Sequence, residues 1–371
     1  MKIAPVMRAL EDANSVHQLL IHTGQHYDAS LSDDFFHDLE LPSADVNLGI
    51  GSGSHSEQTG RIMMALEPVL ERVEPDWVFT VGDVNSTLSA ALVAAKLRIP
   101  VAHVEAGLRS RDRSMPEEIN RVLTDQIGEA LFTTEPSAND NLRNEGIEPK
   151  RIHYVGNVMI DCLDRYRAVA AELDAHEALG VEAGEFVLVT LHRPNNVDDP
   201  ARLSAILGAL GQLASFYPVV FPMHPRTARN VKRFGLERGL APLCVLGPAG
   251  YLDFLCLMDH AGLVISDSGG IQEETTVLGV PCITLRPNTE RPITISEGTN
   301  RLFNGDLDEL PDVALEAIKS ERRPHRPHLW DGHAAERIAE ITTTRLAEQR
   351  PGYVTAREAI DQLHVRTASG A

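Results

Sequence analysis

The sequence has few of the residues that mark several large protein classes. Cysteine is scarce: the 371 residues hold only Cys162, Cys244, Cys256 and Cys282, with no Cys-x-x-Cys pair. Three of them sit in apolar stretches, which reads as buried thiols in a reducing compartment and gives neither a disulfide frame nor a zinc site. Basic side chains are outnumbered, 34 against 53 acidic ones, for a formal net charge of −19. Such a surface repels a phosphate backbone, so nucleic acid is excluded as an expected partner. No apolar run approaches the ~18 residues that span a bilayer, and Met1-Lys2-Ile3-Ala4-Pro5 lacks the apolar centre of a signal peptide. The expectation is a cytoplasmic protein without a membrane partner. A Gly-rich dinucleotide fingerprint, metal-ligand spacing and a Gly-x-Ser-x-Gly nucleophile are all missing, as are repeats and low-complexity segments.

What is present is length and alternation. The chain is 43% hydrophobic and exceeds the ~250 to 300 residues at which one core stops growing, so two domains are expected. β-rich runs near 19–24, 77–83, 100–106, 130–134 and 152–156 form one set, and runs near 186–192, 218–223, 242–246, 262–267 and 281–285 form another. Helical patterns such as Ser86 to Arg98, Leu203 to Ser215 and Tyr251 to His260 lie between them. The fold class is therefore α/β with two doubly wound, Rossmann-like parallel sheets. The expected boundaries are a first domain over 1–162, a second over 163–332, a C-terminal helix over 333–349 and a polar tail over 350–371. The Ala- and Glu-rich stretch 161–184 is the candidate hinge. Polar residues gather where strands end, the edge at which such sheets bind ligands, and two facing edges predict a site in an interdomain cleft.

Several of these strand ends carry chemistry. Ser266-Asp267-Ser268-Gly269-Gly270 turns from a strand into a helix, and its free N–H groups, helix dipole and Ser268 hydroxyl suit a phosphate; it also reads as a capped tight turn. Glu274, one turn on, either reaches a ribose or is a solvated helix residue. Gly82-Asp83 opens a helix, so Asp83 is either a cap or a site acid. Glu105, in the apolar strand His103 to Ala106, needs a partner or a purpose, and an ion pair with Arg109 is the structural alternative. Pro116-Glu117-Glu118 reads as a helix entry with acids at its positive end. His192-Arg193 and His224-Pro225-Arg226 follow two apolar strands and favour anion recognition.

These segments, together with Gln25-His26, His103-Val104-Glu105-Ala106-Gly107-Leu108-Arg109, Pro116-Glu117-Glu118-Ile119-Asn120-Arg121 and Thr289-Glu290-Arg291-Pro292, occur in an order and spacing that resemble the bacterial non-hydrolysing UDP-N-acetylglucosamine 2-epimerases, from Lys2 to about Ile341. The resemblance implies a GT-B fold and reversible epimerisation at carbon 2 without a redox cofactor or metal. It implies that Asp83, Glu105 and Glu117 form the acidic catalytic group and that His192 acts near the diphosphate. Ser268, Gly269 and Gly270 would hold phosphate, Glu274 ribose and Phe254 uracil, with Lys2, Arg109, His224 and Arg291 as further binding groups and a homodimer as the assembly. Gln25 and Arg193 resemble the place where several members bind a second substrate molecule as activator.

The chain departs from that pattern in two places. Asp28 and Pro194-Asn195-Asn196 differ from the family's activator region. A first strand with its Gly-Thr-Arg-Pro-Glu loop does not precede Lys2, so the coding region is expected to begin roughly 15 to 20 residues upstream, the length of a short strand and its loop. A GT-B glycosyltransferase, an epimerase of a related UDP-amino sugar such as a diacetamido uronate, and a catalytically silent UDP-sugar-binding protein are the competing readings.

Overall fold

The computed structural model describes residues 1–13, 16–25 and 38–349. His26, Asp28 and the tail 350–371 lie outside the described residues. The chain forms two compact units. The first comprises Met1–Cys162 and the segment from His328, and the second Leu163–Pro327.

In the first unit β3 (Val78–Val81), β4 (Val101–Ala106), β5 (Ala130–Thr133) and β6 (Ile152–Tyr154) make a four-stranded parallel sheet in that order. β1 (Ile21–His22) and β2 (Val46–Asn47) form a separate parallel pair. All six residues of β4 are buried, as expected of a parallel strand covered on both faces. One face carries Ala102, Val104 and Phe132 against Val6 and Leu10 of helix Ile3–Asp12 and against Ala335, Ile338 and Ala339 of helix Ala334–Gln349. The other face packs on helices His55–Val73 and Asn85–Lys96 through Leu66, Leu70, Ala91 and Val101.

Hydrogen bonds at Trp330 and at the start of helix Ala334–Gln349 fix the C-terminal segment to this unit. The Trp330 indole is fully buried and donates to the Thr134 carbonyl at 2.8 Å. Trp77, half-buried, packs against the cluster that holds Val6, Phe132 and Ala335. The Asp161 carboxylate accepts from the Ala334 and Ala335 N–H groups at 3.3 and 2.7 Å, capping the helix that starts there; burial nevertheless pushes Asp161 up to about 6.

The second unit holds one six-stranded parallel sheet, β12-β11-β10-β7-β8-β9. Its strands are β7 (Val187–Thr190), β8 (Val219–Pro222), β9 (Cys244–Leu246), β10 (Leu263–Ser266), β11 (Cys282–Thr284) and β12 (Asn300–Leu302). Counted within the unit this is 6-5-4-1-2-3, the doubly wound order whose direction reverses between β7 and β10. β2 and β12 were not among the expected strands. Each is two or three residues long and half polar, too short for an alternating or apolar run to register.

The close approach of Leu329 tests how firmly the C-terminal segment docks. Gly156 has φ +91°, and a Cβ there would lie 2.0 Å from the Leu329 carbonyl oxygen. Gly156→Ala should destabilise the first unit by about 3 kcal/mol or more through backbone strain and overlap. Urea unfolding followed by circular dichroism reads this, and an unchanged midpoint would show that the segment shifts freely.

Candidate active site

In each unit the candidate residues lie at the C-terminal ends of the parallel strands. In the first, β4 ends in a bulge: its register with β5 shifts between Val104 and Ala106. The extra residue is Glu105, held at φ +70° and only 4% exposed. A non-glycine residue in left-handed backbone, inside a sheet and ionisable, is costly unless the surroundings impose it. Its carboxylate accepts a short ion-paired hydrogen bond from Lys2 Nζ. A Cβ at Gly82 would sit 3.3 Å from Lys2 Nζ and 3.4 Å from Glu105 Oε2, so Lys2, Gly82 and Glu105 converge.

Behind Glu105 lies a buried charge network. His103 is fully buried with Nδ1 2.6 Å from Asp125 Oδ1 and Nε2 2.7 Å from the Gly82 carbonyl. Both ring nitrogens face acceptors, so both carry protons and the ring is an imidazolium. Burial alone would lower His103, but Asp125, the Gly82 carbonyl and Glu105 outweigh it and raise the pKa. Burial likewise pushes Asp125 up, and His103 and Arg109 hold it below the usual carboxylate range. Arg109 pairs with Asp125 at 2.7 Å and bidentately with Glu145 at 2.9 and 2.7 Å, and it donates to the Leu108 carbonyl. The expected alternative partner, Glu105, is not among its contacts. With its donors taken by the protein, Arg109 holds the strand-end loop, in place of the substrate contact that the resemblance implied.

Helix Pro116–Ile127 carries Glu117 and ties down Asp83. Asn120 Nδ2 donates to the Asp83 carbonyl at 2.9 Å, and Arg121 Nε to the Asp83 carboxylate at 3.0 Å. Arg121 also pairs with Glu118, whose buried carboxylate accepts from the Ser110 and Arg111 N–H groups. Glu118 therefore shapes the loop, while Glu117 stands half-buried in the first turn with no hydrogen-bond or ion-pair partner among the described residues. Gln25 is more committed than its activator role implied: its Oε1 accepts from Ser86 N at 3.0 Å, at the start of helix Asn85–Lys96.

In the second unit the switch point between β7 and β10 is bridged by Asp267, which is fully buried. Its carboxylate accepts from the backbone N–H of His192 (3.1 Å) and Arg193 (2.9 Å) and from Asn196 Nδ2 (3.1 Å). The His192 ring is 36% exposed, 3.2 Å from Asp267 Oδ1 and 5.5 Å from the His224 ring, centroid to centroid. Desolvation, with Arg193, Arg226 and Arg286 nearby, lowers its pKa against the pull of Asp267. His224 is exposed and accepts from Arg226 N with its Nδ1, while the Arg226 side chain turns to Asp198. Of the two expected His/Arg pairs, His192-Arg193 has its cation 3.9 Å from Glu290, while the cation of the second is paired with Asp198.

Ser268 is the N-cap of helix Gly269–Leu278, yet its hydroxyl does not cap that helix. The first-turn N–H groups thus stay open to an acceptor. Gly269 is required by Arg291, whose guanidinium would lie 2.3 Å from any Cβ there; Arg291 pairs with Glu273 at 2.8 Å and approaches Glu290 at 3.6 Å. Gly270 follows, half-buried, and Phe254 is half-buried on helix Tyr251–His260. Glu274 is 2% exposed and accepts from the Tyr251 hydroxyl at 3.0 Å. Burial, then Glu273, pushes it up to about 8. Tyr251 and Asp125 were not singled out beforehand, and Asp267 and Asn196 were named only within their segments, without a role; each acts through a partner distant in sequence.

A family model described as UDP-N-acetylglucosamine 2-epimerase matches residues 8–343. The UDP-N-acetylglucosamine 2-epimerase of Methanocaldococcus jannaschii is 44% identical over 92% of this chain and 95% of its own length. A Pseudomonas aeruginosa UDP-2,3-diacetamido-2,3-dideoxy-D-glucuronate 2-epimerase is 40% identical over 91% and 95%. The crystal structure of the M. jannaschii UDP-GlcNAc 2-epimerase in complex with UDP-GlcNAc and UDP superposes with a TM-score of 0.87 at 42% identity, covering 92% of this chain and 96% of that one. A Neisseria meningitidis UDP-GlcNAc 2-epimerase bound to UDP-GlcNAc gives 0.82 at 28% identity, with 92% and 96% covered.

The raised acid gives a pH signature. Burial pushes the folded Glu274 carboxyl up to about 8, against an ordinary value of about 4.5 when it is exposed to water. The folded state therefore holds this proton more tightly. Its contribution is full below pH 4.5 and is lost as pH rises toward 8, by at most ~1.4 kcal/mol per pH unit. The stability of the parent relative to Glu274→Gln should fall steadily from pH 5 to pH 8 in urea unfolding. A difference that is flat with pH would mean that the carboxyl is ionised throughout.

Proposed function

Because the chain belongs to the UDP-N-acetylglucosamine 2-epimerase family, we propose that it interconverts UDP-N-acetylglucosamine and UDP-N-acetylmannosamine at carbon 2. The observation that carries this reading is Glu105, a buried carboxylate held at φ +70° on a strand-end bulge beside Lys2, with Asp83 and Glu117 tied to the same edge by one helix. No structural need of the sheet accounts for an acid there.

The hydrogen on carbon 2 has no adjacent carbonyl to acidify it. Its removal is coupled to departure of UDP: the bond from carbon 1 to the phosphate oxygen breaks with both electrons going to UDP, and a carboxylate takes the proton from carbon 2. The product is 2-acetamidoglucal. Readdition of UDP, with a proton delivered to the opposite face, gives the epimer, so two acid/base groups are needed, and Asp83, Glu105 and Glu117 supply them. The open N–H groups after Ser268, with Gly269, Gly270 and His192, hold the diphosphate and stabilise the leaving charge. Glu274 takes the ribose hydroxyls and Phe254 packs on the uracil.

The P. aeruginosa relative, 40% identical, supports a second reading in which the sugar is a UDP-diacetamido uronate. Turnover of the two UDP sugars compared side by side selects between them.

In deuterated water, UDP-N-acetylglucosamine should be converted to product carrying deuterium at carbon 2, followed by proton NMR; retention of the original hydrogen would remove the elimination step. Asp83→Asn, Glu105→Gln and Glu117→Gln should each lose roughly 100-fold or more in turnover. Any one of them turning over normally is a structural residue. With burial pushing Glu274 up to about 8, accepting two ribose hydroxyls in addition to the Tyr251 hydroxyl favours its ionised form. UDP binding at pH 7 should then release up to one proton, measured by calorimetry in buffers of different ionisation enthalpy, and Glu274→Gln should abolish that release.

A further inference from the structure

Away from the strand ends, the second unit carries a cluster that the reaction does not use. Cys256 and His260 sit one turn apart on helix Tyr251–His260, so both face the same side, and His176 of the short helix Ala175–Ala178 packs against them. One possible ligand atom from each of the three lies within 4.8 Å of the other two. His176 is 7% exposed and Cys256 1%. The His176 Nδ1 is buried without a hydrogen-bond partner, which is an expensive state for an imidazole nitrogen unless something claims its lone pair.

We propose that His176, Cys256 and His260 form a binding site for a divalent transition-metal ion of the zinc type, with one imidazole nitrogen from each histidine and the Cys256 sulfur as ligands. Two imidazoles and a thiolate are the donors that borderline-soft ions prefer, and magnesium or calcium, which take oxygen, do not fit. Tetrahedral zinc, at about 2.3 Å from sulfur and 2.0 to 2.1 Å from nitrogen, spaces its ligand atoms about 3.4 to 3.6 Å apart. His260 Nδ1 already lies 3.9 Å from Cys256 Sγ. The same nitrogen donates its proton to the Cys256 carbonyl at 2.8 Å in the metal-free protein, so ion binding there breaks that bond and moves the ring proton to Nε2.

The largest rearrangement falls on His176. Its ring stacks on that of His260 with centroids 4.1 Å apart and planes 9° apart, and in-plane lone pairs meet at one ion only if the rings tilt. The backbone supporting the cluster is well held: the His260 carbonyl accepts from Gly184 N at 2.8 Å, and Arg322 donates to the carbonyls of Asp259 and Ala261. Ion binding displaces the Cys256 thiol proton to solvent and leaves a fourth position for water. No Cys/His spacing announced the site, because its third ligand is 80 residues before Cys256.

The test is a titration of the full chain, pretreated with chelator, with Co2+ followed in the visible and near-ultraviolet, and with Zn2+ followed by calorimetry. One equivalent of Co2+ should bind with tetrahedral d–d bands and a sulfur-to-metal charge-transfer band. Cys256→Ser should lose the charge-transfer band, and His176→Gln should weaken Zn2+ binding at least 10-fold. Circular dichroism and thermal unfolding of each variant without metal establish that it is folded. Destabilised variants are replaced by Cys256→Ala and His176→Asn, to which the same expectations apply. Absence of Co2+ binding at about 100 µM, or bands and affinity unchanged in the folded variants, overturns the proposal.

Discussion

The first unit is organised around the carboxylate of Asp125. In one buried place it accepts the His103 imidazolium, the Arg109 guanidinium and the Gly107 N–H. His103 lies within β4, and Gly107 and Arg109 lie just beyond its end. A single anion thereby fixes the strand end, the residue that bulges from it and the loop that follows. Removing one member of such a set leaves an uncompensated buried charge, which costs about 3 to 5 kcal/mol, a large share of a domain's stability. Glu105 can be held in left-handed backbone because the residues on both sides of it are tied down this way.

The second unit reaches the same end with a different donor set. Asp267 draws the chain after β7 onto the end of β10 through two backbone N–H groups and Asn196. Asn196 Nδ2 also donates to the Leu285 carbonyl beyond β11, at 2.9 Å. Through Asn196, the Pro194-Asn195-Asn196 segment thus braces the switch point.

Much of this architecture was legible because parallel strands buried on both faces read as apolar runs with polar residues at their ends. Val101 to Ala106 and Leu263 to Ser266 are of that kind, and Glu105 stood out as an acid inside one. The partners were not legible. Lys2 reaches Glu105 across 103 residues, and Arg109 reaches Glu145 across 36, separations over which no periodicity carries information. Glu105 and Arg109, four apart, made a plausible pair on spacing alone. The bulge rotates the carboxylate away, and the guanidinium finds the buried Asp125 and the half-buried Glu145 instead. β2 and β12 escaped for a local reason, since Val46-Asn47 and Asn300-Arg301-Leu302 are too short and too polar to signal a strand.

The two tryptophans of the chain, Trp77 and Trp330, both belong to the first unit. Intrinsic indole emission is therefore a reporter for one half of the molecule and silent about the other. Trp330, sealed in the core with its N–H on Thr134, should emit to the blue while its segment is docked. Emission and ellipticity that move together on heating would mean that the halves melt as one cooperative body, whereas ellipticity lost while emission holds would identify the second unit as the weaker half.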